Sequence, residues 1–171
     1  MAIREIVYNP DPVLRRKAHK ITKFDKDLQV LIDDMVETMR EAPGVGLAAP
    51  QVGVSSRLIV VEYAENEEED EDAPKKLYVV INPEIDEASE DMELGVEGCL
   101  SVPRMMGEVN RYLQVTVKGF NRQGKPIKLK LKGWLARIFQ HEIDHLEGIL
   151  YTDRATKLWR PADDEEVQDN V

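Results

Sequence analysis

The sequence has little cysteine, little histidine and no long apolar run. Cys99 is the only cysteine among the 171 residues, which excludes an intramolecular disulfide. Charged residues interrupt the apolar residues near the N-terminus, so neither a secretory signal nor a membrane-spanning segment is predicted. The formal net charge is −10 without a convincing basic stretch, which disfavours binding to nucleic acid. We therefore expect a soluble, cytoplasmic protein without a membrane partner.

The length and composition favour a single domain formed by residues 1–171. Two stretches are strongly acidic, residues 65–72 and residues 163–171. Such stretches cannot bury apolar surface, so we expect them to be solvated and mobile rather than to bind a ligand. Neither is predicted to be a domain boundary, because the strands beside the first stretch need each other as partners.

The apolar residues follow helical spacing in one region and alternate in others. A helix with one buried face is predicted from Asp27 to Arg40, ending at Pro43 and Gly44. A short helix is expected over residues 13–18. Four segments have β character: residues 58–63, 77–81, 113–117 and 127–131. Residues 121–124 between the last two are typical of a hairpin turn.

The segment His141-Glu142-Ile143-Asp144-His145 has the spacing of a metal-binding helix. Residues four apart lie on one helix face, so the two imidazoles can converge on one ion, with Glu142 close to water bound there. A chance arrangement is the alternative, and it is a poor explanation in a chain with only three histidines.

A third ligand would separate the classes of metalloenzyme that share this helix. The metzincin pattern fails, because Tyr151 stands where its third histidine is required. Glu165 and Glu166 have the separation seen in thermolysin-like enzymes, but their segment lacks apolar periodicity. His19 lies in a charged stretch and is expected at the surface. Cys99 therefore remains as the candidate.

Cys99 follows Gly98, which allows close backbone approach. A thiolate together with two neutral imidazoles binds a borderline-soft metal and leaves a coordination position open for water. A buried structural thiol is the more common role of a single cysteine. Taken alone, Cys99 leaves both interpretations open.

Three segments resemble the signature motifs of the peptide deformylase family, in the family's order. They are residues 44–51 (GVGLAAPQ), 97–101 (EGCLS) and 141–145 (HEIDH). Residues 9–15 are also similar to the start of that family, so the likeness covers nearly the whole chain outside the acidic stretches. The resemblance implies a metal-dependent hydrolase that removes the formyl group from N-formylmethionyl termini of new polypeptides and releases formate.

The resemblance also assigns residues by position. It implies three metal ligands: Cys99, His141 and His145. It implies that Glu142 is the general base, and that the Gln51 side-chain amide and the Leu100 backbone N–H stabilise the developing oxyanion. The implied cofactor is one divalent metal ion, Fe(II), with zinc, nickel or cobalt as other occupants.

The resemblance further implies that the backbone of Gly44, Val45 and Gly46 pairs with the substrate like an added strand. Trp134 and Ile138 share a helix face with His141, so they are candidate walls of a pocket for the substrate methionine, with Val45 opposite. Core packing explains Trp134 and Ile138 equally well.

The sequence departs from the family at one arginine position. Many members carry an arginine seven residues after the cysteine, where this chain has Met106. Arg104 is a candidate substitute. Arg111 is expected to form a buried ion pair with either Glu97 or Asp144, and the sequence does not choose between them.

Two other functions remain open from the sequence. A metallopeptidase would cleave internal bonds of unformylated peptides, whereas a non-catalytic metal-binding module would have little need for Glu142. The expected partners of a deformylase are nascent formylated polypeptides, with at most a weak ribosome association because the tail is acidic. We expect an α+β fold in which mostly antiparallel strands pack around the helix that carries residues 141–145.

Overall fold

Helices and strands are interleaved along the chain. The computed structural model describes residues 2–64 and 72–161. The helices are α1 (Lys26–Glu41), α2 (Gly133–Leu146) and α3 (Tyr151–Arg154). The strands are β1 (Gly46–Ala48), β2 (Leu58–Ala64), β3 (Lys75–Ala88), β4 (Met92–Cys99), β5 (Val102–Tyr112), β6 (Gln114–Phe120), β7 (Pro126–Lys132) and β8 (Lys157–Trp159). Except for Asp72, the two acidic stretches lie outside the described residues.

The strands form two sheets, and the strand pairings within both are antiparallel. The first sheet has the order β1-β2-β3-β6-β7, and the second has the order β4-β5-β8. Helix α2 contacts β1, β2 and β7 of the first sheet and β5 of the second. The expected α+β fold, with antiparallel strands around the helix that carries residues 141–145, is therefore confirmed.

Helix α1 has the expected position and local signals. The Asp25 side chain accepts a hydrogen bond from the backbone N–H of Leu28 and so caps the helix N-terminus. The helix ends at Glu41, two residues before Pro43, which has no N–H to continue it. The short helix expected over residues 13–18 is instead a 3-10 turn at Pro12–Arg15.

The predicted hairpin connects β6 and β7. The Asn121 side chain accepts hydrogen bonds from the backbone N–H groups of Gln123 and Lys125. Gly124 has a φ of +84°, in the left-handed region that glycine adopts readily. In β7 the lysines are exposed while Leu131 is buried, so one face of the strand is exposed to solvent, as expected.

The buried apolar residues form two large clusters. The main core joins α2 to the first sheet through Leu135, Ile138 and Phe139, and the second core lies between α1 and that sheet. A smaller cluster contains Cys99, Val109 and Tyr151. Within the described ranges, no helix combines the length and apolar character needed to cross a membrane.

Candidate active site

Two elements bring the three sequence-predicted ligands together. Cys99 is the last residue of β4, and His141 and His145 lie one turn apart on α2. The Cys99 sulfur and one ring nitrogen of each histidine lie within 4.8 Å of one another, and all three residues are buried. The Cys99 Sγ and His145 Nε2 atoms are 3.4 Å apart.

These three side chains fit a divalent metal. Tetrahedral coordination at usual bond lengths would separate a sulfur and an imidazole nitrogen by about 3.6 Å, close to the observed Cys99–His145 distance. His141 donates its Nδ1–H to Glu97 Oε1 at 2.8 Å, which leaves the Nε2 lone pair available for a metal. That buried Nε2 atom has no hydrogen-bond partner among residues 2–64 and 72–161.

The electrostatic surroundings also favour a cation. Burial opposes a charge on His141, but its interactions with Cys99 and Glu97 raise its pKa to about 10. The same negative groups attract a metal ion, which would replace the proton on His141 Nε2, because a ligating imidazole is neutral. Burial holds the pKa of His145 well below its usual value, so this imidazole is neutral at pH 7, as a metal ligand must be.

Glu142 lies beside the paired histidines and is fully buried. Within the described part of the chain, neither of its carboxylate oxygens has a hydrogen-bond partner. Burial raises the pKa of Glu142 to about 7. A Cβ atom at Gly46 would lie 2.5 Å from Glu142 Oε2, so glycine at this position provides the space for the carboxylate.

Gln51 joins the first motif to the second. Its Oε1 atom accepts a hydrogen bond from the backbone N–H of Ala48 at 3.0 Å, which fixes the orientation of the buried amide. Its Nε2 atom donates to Ser101 Oγ at 3.2 Å and lies 3.6 Å from the Cys99 sulfur. Gln51 therefore presents an N–H donor next to the candidate metal site.

The motif at residues 44–51 also approaches the motif at residues 97–101 where Gly44 lies close to Leu100. Leu100 is half-buried in the turn between β4 and β5. Its Cδ1 atom lies 3.1 Å from the position that a Cβ atom would occupy at Gly44. The segment that leads into β1 therefore lies against the turn that follows Cys99.

Glu97 connects the site to a buried network of charges. Arg111 donates two hydrogen bonds of 2.9 Å to its carboxylate, and Arg137 donates a third at 2.7 Å. Burial opposes the charge of Glu97, but the hydrogen bonds from Arg111 and His141 outweigh it and keep its pKa well below the usual range. Arg111 also donates to Asp144 at 2.6 Å. The ion pair that the sequence left undecided is thus made with both carboxylates.

A family model described as polypeptide deformylase matches residues 3–160. The chain belongs to the peptide deformylase family. A peptide deformylase from Symbiobacterium thermophilum is 53% identical over 171 residues, which are 100% of this chain and 75% of the relative. Peptide deformylase 1 from Bacillus subtilis is 45% identical over 159 residues, covering 93% of this chain and 94% of the relative.

Solved peptide deformylase structures show the same fold. A Thermotoga maritima peptide deformylase has a TM-score of 0.82 and 41% identity, covering 92% of this chain and 100% of that one. A Legionella pneumophila peptide deformylase has a TM-score of 0.81 and 44% identity, covering 91% of this chain and 87% of that one. The family resemblance of the three motifs is therefore confirmed.

The candidate pocket residues of this deformylase differ in accessibility. Ile138 is fully buried within the main core, so packing accounts for it directly. Trp134 and Val45 are only partly buried and pack against the same core. Of the three candidate walls, Trp134 and Val45 therefore keep some exposed surface, and the Trp134 ring also lies beside the Arg137 guanidinium.

Met106 stands at the position where the resemblance to the family led us to expect an arginine. Met106 is buried in β5 and lies opposite Trp159 of β8. Arg104 is exposed on the same strand and has a φ of +59°, which is uncommon for a residue with a side chain. Arg104 lies two residues before Met106 on this strand.

His19 is not part of the cluster formed by Cys99, His141 and His145. His19 is exposed, as expected for a surface residue. Glu165 and Glu166 lie outside the described residues. Glu97 and Arg137 were not predicted to contact the site through His141. The spacing of Arg137 four residues before His141 places it on the ligand face of α2, but no local signal shows that its partner is Glu97, which lies 40 residues away.

Proposed function

We propose that this chain hydrolyses the formyl group from N-formylmethionyl termini of newly made polypeptides and releases formate. The observation that carries the proposal is the meeting of Cys99, His141 and His145 beside the buried carboxylate of Glu142, in a member of the peptide deformylase family. A non-catalytic metal-binding module would not require an unpartnered buried carboxylate next to its ligands.

Cys99, His141 and His145 would hold one divalent metal ion. We propose Fe(II), with zinc, nickel and cobalt as other ions that thiolate and imidazole ligands accept. Such an ion lowers the pKa of water from near 16 to about 7 and so supplies a nucleophile at neutral pH. The single thiol acts as a ligand in this assignment rather than as an inert core residue.

Glu142 has the position and environment of a general base. It accepts a proton from the attacking water and delivers it to the amine that leaves as formate forms. Its burial keeps bulk water from competing for that proton. Gly46 preserves this arrangement, because any larger residue there would contact the carboxylate.

Two donors are assigned to the oxyanion that develops on the formyl oxygen. They are the Gln51 side-chain amide and the Leu100 backbone N–H. The bond from Ala48 to Gln51 Oε1 supports this role, because it directs the Nε2 donor toward Cys99 before substrate binds. Preorganised donors of this kind contribute about 3–4 kcal/mol each to catalysis.

The substrate backbone is proposed to pair with Gly44, Val45 and Gly46. Strand β1 lies at the edge of the first sheet, with β2 on one side, so its other side can accept an added strand. The backbone carbonyl of Val45 already accepts a hydrogen bond from Glu62, which fixes this segment. Trp134 and Val45 would contact the substrate methionine, and Ile138 belongs to the core cluster against which both pack.

This function places the chain in N-terminal processing during cytoplasmic protein biosynthesis. Its partners would be nascent formylated polypeptides. We propose at most a weak ribosome association, and neither direct nucleic-acid binding nor a membrane partner. The net charge of −10 supports this, because it disfavours contact with a phosphate backbone.

The test combines anaerobic metal analysis with a formate-release assay on a formyl-methionyl peptide. We expect the wild type and Glu142→Gln to bind one metal ion each, and Glu142→Gln to lose about 10²–10⁴-fold in turnover. Glu84→Gln, an exposed glutamate on β3, is the matched control and should retain turnover. Cleavage of unformylated peptides at internal bonds would instead support a metallopeptidase, and full activity of Glu142→Gln would contradict the proposal.

A further inference from the structure

Two side chains of α2 bind the two oxygens of one carboxylate on β4. Arg137 and His141 are four residues apart and therefore lie on the same helix face. Arg137 Nη1 donates to Glu97 Oε2 at 2.7 Å, and His141 Nδ1 donates to Glu97 Oε1 at 2.8 Å. All three side chains are buried. The orientation of His141 is thus linked to Arg137 through a shared partner.

The guanidinium of Arg137 is held by more than Glu97. Its Nη1 atom also donates to the carbonyl of Val109 on β5 at 2.9 Å, and its Nη2 atom donates to the carbonyl of Glu93 on β4 at 2.6 Å. The group lies over the Trp134 ring, 5.4 Å from the ring centroid. A planar guanidinium with contacts on several sides has little freedom to rotate, so it can fix the carboxylate that it binds.

Gly95 provides the space for this guanidinium. A Cβ atom at Gly95 would lie 2.6 Å from Arg137 Cζ and 2.8 Å from both Nε and Nη2 of the same residue. These are the three atoms nearest to that position. Gly95 and Arg137 are therefore a matched pair, in which the missing side chain on β4 allows the arginine from α2 to reach Glu97.

Arg111 also binds Glu97, but from a different direction. Arg111 lies on β5, which is paired with β4, so it fixes Glu97 relative to that sheet, and it reaches α2 through Asp144, three residues after His141. Arg137 lies on the helix that carries His141, so it fixes the same carboxylate relative to that helix. Arg137 therefore adds a direct restraint between Glu97 and the helix, whereas Arg111 reaches the helix through Asp144.

We propose that Arg137, admitted by Gly95, is a positioning residue that orients Glu97 and thereby sets the His141 imidazole for metal binding. The inference rests on the proposed function, since it concerns the same metal site. Partners that hold the ligands of a metal typically contribute 10–100-fold to its affinity. Because Arg137 acts through Glu97, we expect an effect of about tenfold, at the lower end of that range.

The first test measures the Zn²⁺ dissociation constant of the whole chain by competition with a chelator. We expect Arg137→Met to bind Zn²⁺ about tenfold more weakly than the wild type, and Arg137→Lys to fall between them. Arg122→Met is the matched control, because Arg122 pairs with Gln29 and Asp33 away from Glu97. A purely structural Arg137 would lower the melting temperature without changing the Zn²⁺ dissociation constant, and that result would overturn the inference.

The second test keeps every charge in place. Gly95→Ala displaces the guanidinium and should weaken Zn²⁺ binding about tenfold in the wild-type background. In the Arg137→Met background, Gly95→Ala should weaken Zn²⁺ binding little further, because both substitutions remove the same interaction between Arg137 and Glu97. If the double variant lost Zn²⁺ affinity by the product of the two single effects, the proposed pairing of Gly95 with Arg137 would be overturned. A wild-type chain that binds no Zn²⁺ would overturn the proposed function too, whereas unchanged affinity in both variants would overturn this inference alone.

Discussion

Helices α1 and α2 bury different kinds of residue. Eight of the 16 residues of α1 are buried, and all but Asp34 and Thr38 are apolar. Eleven of the 14 residues of α2 are buried, and five of these are polar: Arg137, Gln140, His141, Glu142 and His145. Helix α1 therefore packs along one apolar face, whereas α2 is enclosed on nearly all sides with its polar groups inside.

The two helices also differ in how their buried polar atoms are satisfied. In α1, Asp34 accepts from the backbone N–H of Ala2, and the Thr38 hydroxyl donates to the backbone carbonyl of Asp34. Among the described residues, α1 has one buried side-chain atom without a hydrogen-bond partner, Glu37 Oε2, whereas α2 has four: both Glu142 oxygens, His141 Nε2 and His145 Nδ1. Unsatisfied buried polar atoms are destabilising, so their concentration on one helix indicates a functional rather than a packing role.

The largest expected effect is the loss of the proposed metal site. Cys99→Ala removes the thiolate, and we expect bound metal and formate release to fall to background, because two imidazoles alone hold a divalent ion weakly. Metal content per chain and formate release measure the outcome. A variant that retained full metal content would contradict the role of Cys99 and remove the main functional distinction between α1 and α2.

Next in size is the effect of removing the Gln51 amide beside α2. Gln51→Ala should lower turnover by about 10²–10³-fold while metal content stays unchanged, because an oxyanion donor is lost and no ligand is. Steady-state kinetics with a formyl-methionyl peptide measure the change. Near-normal turnover would show that Gln51 serves only the packing around Ser101 and Cys99.

A core substitution in α1 should change stability alone. Ile32 is fully buried in the second core, so Ile32→Val should lower the free energy of unfolding by about 0.5–1.5 kcal/mol. Turnover per folded molecule should not change. Urea unfolding measures the stability, with Val30→Ala on the exposed face of the same helix as control. A loss of turnover in Ile32→Val would break the contrast between the two helices.

The smallest expected effect is a pH dependence from α1. The hydrogen bond from the Ala2 backbone N–H, assisted by Arg4, lowers the pKa of Asp34 below its usual value of 3.8. Because this carboxyl is more acidic in the folded than in the unfolded chain, its contribution is complete above pH 3.8 and disappears as the pH falls through the folded value.

Comparison of wild type with Asp34→Asn isolates that contribution. Urea unfolding between pH 7 and pH 3 should show a stability difference that is constant near neutral pH and shrinks at the acidic end. A difference that stayed constant down to pH 3 would show that Asp34 is not more acidic in the folded chain.

Local patterns were sufficient where the contacts are local. The spacing of His141 and His145 places both imidazoles on one helix face, and the apolar period of α1 sets its buried side. The turn at residues 121–124 connects adjacent strands, so its residues determine the pairing of β6 with β7. Motif resemblance extended this to Cys99, whose partners lie more than 40 residues away.

Alternation of apolar and polar residues could not predict which side of β4 is buried, because its apolar residues are exposed and a charged residue is buried. Met92, Leu94 and Val96 are exposed, whereas Glu97 is fully buried. A buried glutamate contradicts a hydrophobic pattern unless cationic partners arrive from elsewhere. Those partners come from β5 and α2, so only the assembled structure accounts for them.

The sequence by itself therefore determined the helix with two histidines, the family and the candidate ligands. Only the tertiary structure decided that Arg111 binds two carboxylates and that Gly95 admits Arg137 to Glu97. The physical reason is the range of the interactions. Helical spacing depends on neighbours within one turn, whereas a buried charge is stable only where groups from separate elements meet around it.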